Sequence, residues 1–151
     1  MADSHQTGTA KIKLDDRGRL AVPNRYRPLL QRSGGFYLTA HPHGCLTIYD
    51  AVRFAYIQEQ FEQRSNHYHD TTLEDMIIGC AEQMQLDSAG RILISNGLRA
   101  EACIDREVRM FSLPDSIRIW DDKIWEQKKL LMVSRLQDDT ETSELWRNVK
   151  L

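Results

Sequence analysis

The chain has 151 residues, 41% of them apolar, and a formal charge of −2. This supplies one core-bearing domain but no blanket electrostatic grip on nucleic acid. No run approaches the roughly 18 continuous apolar residues of a membrane helix, and the N-terminus lacks the apolar core of a signal peptide. Cys45, Cys80 and Cys103 are odd in number and widely spaced, so they propose neither a disulfide framework nor a paired metal motif. A reducing, cytoplasmic setting is expected.

In chain order, residues 1–8 are small and polar and read as a disordered tail. From Lys11 to Leu14, polar and apolar residues alternate as in a half-buried strand, with Lys11 and Lys13 on its outward face. Asp15-Asp16-Arg17-Gly18 follows, with Asp at the first and Gly at the last position of a type I turn. A second strand turns Leu20 and Val22 inward, and Pro23 opens a short helix. Phe36–Ala40 and Leu46–Tyr49 form a hairpin around His41-Pro42-His43-Gly44. Asp50 then caps a helix with Phe54, Ile57 and Phe61 on one face. Thr71-Thr72-Leu73-Glu74 has capping-box spacing and starts a linking helix over 71–79, with Leu73, Met76, Ile77 and Cys80 at helical spacing and Gly79 at its end.

Thereafter the pattern recurs. Residues 13–27 and 85–99 align without gaps at an offset of 72, with identities at Leu14/Leu86, Asp15/Asp87, Gly18/Gly90, Arg19/Arg91, Asn24/Asn96 and Arg27/Arg99. Ile48-Tyr49-Asp50 and Phe54 match Ile119-Trp120-Asp121 and Trp125 at an offset of 71, the missing residue falling in a turn. An ordered series at both ends of a segment establishes a duplication. In the second copy Ser95 replaces Pro23 as helix opener, Val108–Phe111 and Ile117–Trp120 form the hairpin, and Asp121 caps a last helix carrying Ile124, Trp125, Leu131 and Met132. The aromatics Tyr49, Phe54, Trp120 and Trp125 recur in register, which favours core packing.

The expected fold is α+β: two pseudo-symmetric ββαββα repeats building a small closed or split β-barrel, with helices covering its ends. Four short strands cannot bury two faces alone, so two copies must share a core. One domain is expected over 9–136, with repeat one at 9–64 and repeat two at 81–136. An acidic tail at 137–151 follows, carrying Asp138, Asp139, Glu141 and Glu144.

Charge is uneven. Lys11, Lys13, Arg17, Arg19, Arg25 and Arg27 stand against only Asp15 and Asp16, so the rest of the chain is acidic. Asp15, Gly18, Asp87 and Gly90 are read as structural turn residues, the Asp accepting amide hydrogen bonds and the Gly supplying positive φ. A tight turn does not require Arg after its Gly, yet Arg19 and Arg91 both stand there. Arg19 could be an ion pair with Asp15, or such an arginine could be a guanidinium at a hairpin tip that grips phosphate or reads guanine. Arg17 adds charge in the first copy and Ala89 does not in the second, so the first is expected to contact DNA and the second mainly to scaffold. Lys11 and Lys13 read either as DNA contacts or as lysines protecting an edge strand. Arg27 and Arg99 read as structural ion pairs. His41, His43 and Cys45 alternate but lack a second ligand cluster, and His67 and His69 lie in a polar loop, so no metal or cofactor is assigned. Phosphate loops, nucleophile elbows and His-Glu-x-x-His are absent from the sequence, and no enzyme activity or small-molecule substrate is proposed.

The doubled Asp-x-x-x-Arg unit, Asp15–Arg19 and Asp87–Arg91, resembles the MraZ family, related in fold to the AbrB and MazE swapped-hairpin or split barrels. Leu20-Ala21-Val22-Pro23-x-x-Tyr26-Arg27 and Ile119-x-Asp121 extend the likeness, which spans residue 8 to about 130. Arg17 stands where Lys is usual, Ser95 where a second proline is frequent, and the linking helix is acidic rather than Arg-rich. The resemblance implies a transcription regulator that binds double-stranded DNA as a ring-like homo-oligomer on tandem promoter repeats of its own division and cell-wall genes. It also implies a cytoplasmic, nucleoid-associated location and points to Arg19 as a DNA contact. A ring that meets an acidic protein instead of DNA, or an antitoxin-like barrel, is the alternative.

Overall fold

The structure, a computed structural model, describes residues 8–64, 70–138, 144 and 147–150. The expected disorder of the N-terminal tail and the solvated His67 and His69 fall outside the described residues, Gly8 apart. In the first repeat, β1 (Thr9–Lys13) and β2 (Arg19–Ala21) precede a 3-10 turn (Asn24–Tyr26) that runs into α1 (Arg27–Leu30). Then come β3 (Phe36–Ala40), β4 (Leu46–Asp50) and α2 (Ala51–Arg64). The linker holds α3 (Thr72–Glu74) and a π-type turn (Asp75–Gly79). The second repeat has β5 (Glu82–Met84), β6 (Arg91–Leu93), α4 (Asn96–Glu101), β7 (Glu107–Leu113), β8 (Ser116–Asp121) and α5 (Asp122–Asp138). The ββαββα order therefore occurs twice.

The strands pair across the repeats. One antiparallel sheet runs β1-β7-β8-β4-β3-β5, and β2 and β6 form a separate ribbon, so the barrel is split rather than closed. β1 pairs with β7 of the other repeat, and β5 with β3. Two registers reveal the pseudo-twofold. Leu20 faces Ile92, 72 residues on, and Thr47 faces Arg118, 71 residues on; each residue meets its own duplicate.

This exchange corrects the hairpin expected at each Asp-x-x-Gly turn. The Asp15 amide does close on the Arg19 carbonyl at 3.0 Å, but the Leu14 amide already turns to Arg106 at 2.7 Å and the strands part. The gain is burial: Leu20, Val22, Ile92 and Ile94, at most 1% exposed, enter one core with Tyr26, Leu38, Ile48, Met110 and Ile119. Fully burying each such side chain contributes about 1.5–3 kcal/mol, which neither half could collect alone.

Local signals act as the residue types require. Ser95 Oγ accepts the Leu98 amide at 3.3 Å, and Asp50 Oδ1 accepts the Arg53 amide at 2.7 Å, capping α4 and α2. Phe54 on α2 stacks on Tyr37 of β3, ring centroids 4.0 Å apart. The capping box at Thr71 does not form. Asp70 Oδ1 takes the Thr72 amide at 2.9 Å, Thr71 Oγ1 donates to Asp75, and the helix widens into the π-type turn, whose Ile77 carbonyl accepts from Thr39 Oγ1 at 2.6 Å. The Asp121 carboxylate accepts the Asp105 amide at 3.1 Å.

The chain divides into two compact units, the first ending at Asp121 and the second beginning at Asp122. In the second, Ile124 and Trp125 are half-buried whereas Leu130, Leu131, Met132 and Val133 are exposed. Among the described residues, no helix is long and apolar enough to cross a membrane.

Candidate nucleic-acid interface

The two Asp-x-x-x-Arg turns are built alike, atom for atom. Gly18 donates its amide to the Asp15 carbonyl and Gly90 to Asp87, each at 3.0 Å. Asp15 Oδ1 accepts the amides of Arg17 and Arg19 at 2.9 and 2.8 Å, and Asp87 Oδ1 those of Ala89 and Arg91 at the same distances. These bonds stabilise the charged carboxylate. The Asp15 carboxyl is held below its ordinary range by the Arg19 amide first, then by the Arg19 guanidinium and the Arg17 amide; Asp87 is lowered in the same way by Arg91 and Ala89.

Why glycine stands in each turn becomes clear across the repeats. Gly18 and Gly90 have φ of +80° and +74° and are buried. Each carbonyl accepts an amide from the other repeat, Ile94 to Gly18 and Val22 to Gly90, both at 3.0 Å. A β-carbon on Gly18 would meet the Ile94 carbonyl at 3.0 Å and Arg99 Cζ at 3.1 Å; one on Gly90 would overlap the Arg27 guanidinium. Arg27 and Arg99 thus roof the opposite repeat's turn. Their described partners are not the carboxylates expected of ion pairs: Arg27 Nε donates to the Val22 carbonyl at 3.1 Å, and Arg99 Nη2 to Asn96 Oδ1.

The ion pair weighed for Arg19 with Asp15 is the geometry found, and Arg91 makes the same pair with Asp87. Asp15 Oδ2 receives Arg19 Nε at 2.6 Å and Asp87 Oδ2 receives Arg91 Nε at 2.9 Å. The side chains are nonetheless 31% and 33% exposed, and the clamp uses only the inner nitrogen, leaving the terminal pair of each guanidinium without a partner among the described residues. Neither arginine sits at an isolated tip. Both begin strands of the β2/β6 ribbon, where Arg19 faces Leu93 and Arg91 faces Ala21. Leu20 and Ile92 point into the core, so Arg19, Ala21, Arg91 and Leu93 share the outward face, the arginines on one diagonal.

Around this ribbon the cations are unequal. Arg17 and Lys13 are exposed, their charged ends without a partner among the described residues, whereas the Lys11 ammonium is exposed but paired with Glu107 at 3.2 Å. Their counterparts Ala89, Gln85 and Gln83 carry no charge. Arg25 leans on Tyr26, 5.0 Å from its ring centroid, and donates to the Thr9 carbonyl; Tyr26 in turn donates its hydroxyl to the Gly8 carbonyl at 2.8 Å, tying down the start of β1. His41 and His43 touch edge to face and His41 Nδ1 accepts the His43 amide at 3.1 Å; burial, then His43 and Arg118, lower the His41 pKa to about 4, so it stays neutral. Among the described residues, no group of three His, Cys, Asp or Glu is placed to hold a metal.

Sequence reasoning named both arginines but missed the ribbon and Leu93. The signal was strand parity: if Ile92 and Ile94 face inward, Leu93 must face out.

Comparison with known proteins supplies the relationship. Residues 6–77 and 76–142 each match the family described as "MraZ protein, putative antitoxin-like". A protein named Transcriptional regulator MraZ from Azoarcus sp. (strain BH72) is 31% identical over 129 residues, covering 84% of this chain and 88% of the relative. One of the same name from Dechloromonas aromatica (strain RCB) is 34% identical over 135 residues, covering 87% and 91%. Its namesake from Methylobacillus flagellatus is 34% identical over 121 residues, covering 78% and 82%. With two family matches that fall on the two structural repeats, and relatives similar along most of their length, the chain belongs to the MraZ family.

Proposed function

We propose that this protein is a non-enzymatic transcription regulator that reads double-stranded DNA with the outward face of the β2/β6 ribbon. The observation that carries the proposal is the diagonal of Arg19 and Arg91 on one two-stranded ribbon, each held by a carboxylate through Nε alone. A two-stranded ribbon fits the major groove, and the free end of a guanidinium is the fork that bonds guanine O6 and N7. Holding the side chain in place beforehand lowers the entropy lost on binding. Because each Asp–Arg pair is close to neutral overall, Arg17 and Lys13 supply the attraction to phosphate, with Lys11 secondary. The relatives' shared name, Transcriptional regulator MraZ, supports the same reading.

One such ribbon with few net cations binds DNA in the non-specific range of roughly 10⁻⁴ to 10⁻⁶ M. A ring-like homo-oligomer presenting several ribbons to tandem promoter repeats gains through effective concentration. Its own division and cell-wall gene cluster is the proposed target, and the nucleoid within the cytoplasm its place of action. The test is a gel shift on DNA from the gene's upstream region at fixed salt, beside the oligomer mass by light scattering. Arg19→Ala and Arg91→Ala are each expected to lose about 5- to 150-fold in affinity, since a bidentate base contact is worth about 1–3 kcal/mol, with the mass unchanged. Wild-type indifference to this DNA would reject the proposal in favour of a ring that engages an acidic protein, to which the same cations are suited.

A further inference from the structure

The outward face of the ribbon is not purely polar. Leu93 is 53% exposed between Ile92 and Ile94, both fully buried, so strand alternation alone turns it away from the core to which it adds nothing. A single exposed leucine is ordinary on any protein. This one is singled out by its neighbours: it is the direct cross-strand partner of Arg19, and the next pair on the same face is Ala21 with Arg91, two rungs on. The face is a two-by-two square with guanidinium groups on one diagonal and apolar side chains on the other. Partners across a rung stand about 4.5–5.5 Å apart, a spacing that puts Arg19 and Leu93 over neighbouring base pairs.

From this placement we infer that Leu93 is a specificity-determining residue that packs on the C5-methyl group of a thymine next to the base read by Arg19. The thymine methyl is the apolar feature among the base edges in the major groove, where the other features are hydrogen-bond donors and acceptors. A branched aliphatic chain beside a guanidinium therefore has one matching base. At the pseudo-symmetric position stands Ala21, which reaches less far. The square consequently reads its two rungs unequally, with thymine preferred on the Arg19–Leu93 side. The inference rests on the DNA reading proposed above.

The test separates the two. Upstream DNA is amplified once with dTTP and once with dUTP, which removes the methyl groups and leaves base pairing unchanged. Each product is titrated with the full-length protein and with Leu93→Ala and Leu93→Met. The wild type is expected to bind the uracil DNA about fourfold more weakly for each methyl contacted. Leu93→Ala should bind both DNAs alike, and Leu93→Met, which retains apolar reach, should recover most of the difference. Circular dichroism of both variants should match the wild type, because the side chain lies outside the core. A Leu93→Ala protein that keeps the full thymine–uracil difference overturns the inference, as does a wild type that binds both products equally. Failure to bind either product overturns the DNA reading itself.

Discussion

The two repeats use the same backbone to present different surfaces. Their turns share every hydrogen bond from Asp to Gly and Arg, within about 0.1 Å for the amides. Around them, Lys11, Lys13 and Arg17 stand in the first repeat where Gln83, Gln85 and Ala89 stand in the second. The sheet edges differ too. β1 pairs with β7 over five residues and continues through Leu14 to Arg106, while β5 stops after three. Beside the end of β5, Gly34 and Gly35 take φ of +90° and +73°, and a cavity of about 550 Å³ is lined there by Arg27, Gln31, Gln85 and Asp87. The lesson is that residues binding the repeats to each other must be of the same kind in both copies, because each turn is completed by the other's backbone. Residues facing solvent carry no such obligation, and there the copies have become a charged side and a neutral side.

Cutting the chain in the linker tests the shared architecture most severely. Fragments 1–69 and 70–151 should each lack cooperative structure by circular dichroism and regain it when mixed, because β1 and β5 find their partners only in the other fragment. A fragment that melts cooperatively alone would break the comparison at its root.

Next in size is the glycine pair. Gly18→Ala and Gly90→Ala each combine a positive φ with a collision against the opposite repeat, and each should lower stability by about 2–4 kcal/mol in urea unfolding. Similar losses at both sites are expected, since each turn bears on the other half. A loss confined to one would show that only that turn locks the fold.

The smallest effect sharpens the difference between the copies. Arg17→Ala should weaken binding to any DNA sequence by about three- to tenfold and reduce the slope of log affinity against log salt by about one, the mark of one lost phosphate contact. Ala89→Arg, at the matching place in the neutral copy, should strengthen binding by a similar factor. Equal indifference to both changes in gel shifts across a salt series would show that the basic side is not the side that approaches DNA.

Much of this was open to reading from the chain alone. Asp15 and Gly18 are a turn because a carboxylate can gather the next amides and glycine tolerates positive φ; both effects act within four residues. The Ser95 and Asp50 caps are equally local. The capping box at Thr71 failed because Thr71 turned its hydroxyl to Asp75, while Asp70 rather than Thr71 gathers an amide at the helix start, that of Thr72. Arg27 and Arg99 looked like ion pairs because their covering of the opposite glycine depends on atoms more than sixty residues away along the chain.

By itself, the sequence determined the elements, the duplication, the parity of each strand and the two Asp-x-x-Gly turns. All of these are settled by interactions across a few residues. The tertiary structure alone decided which strands pair, and thereby that Arg19 and Arg91 share one ribbon with Leu93 directly across from Arg19. Strand partnership is a contest over buried surface: exchange lets four short apolar strand segments from two halves fill one core, and no local pattern records which edge wins that contest.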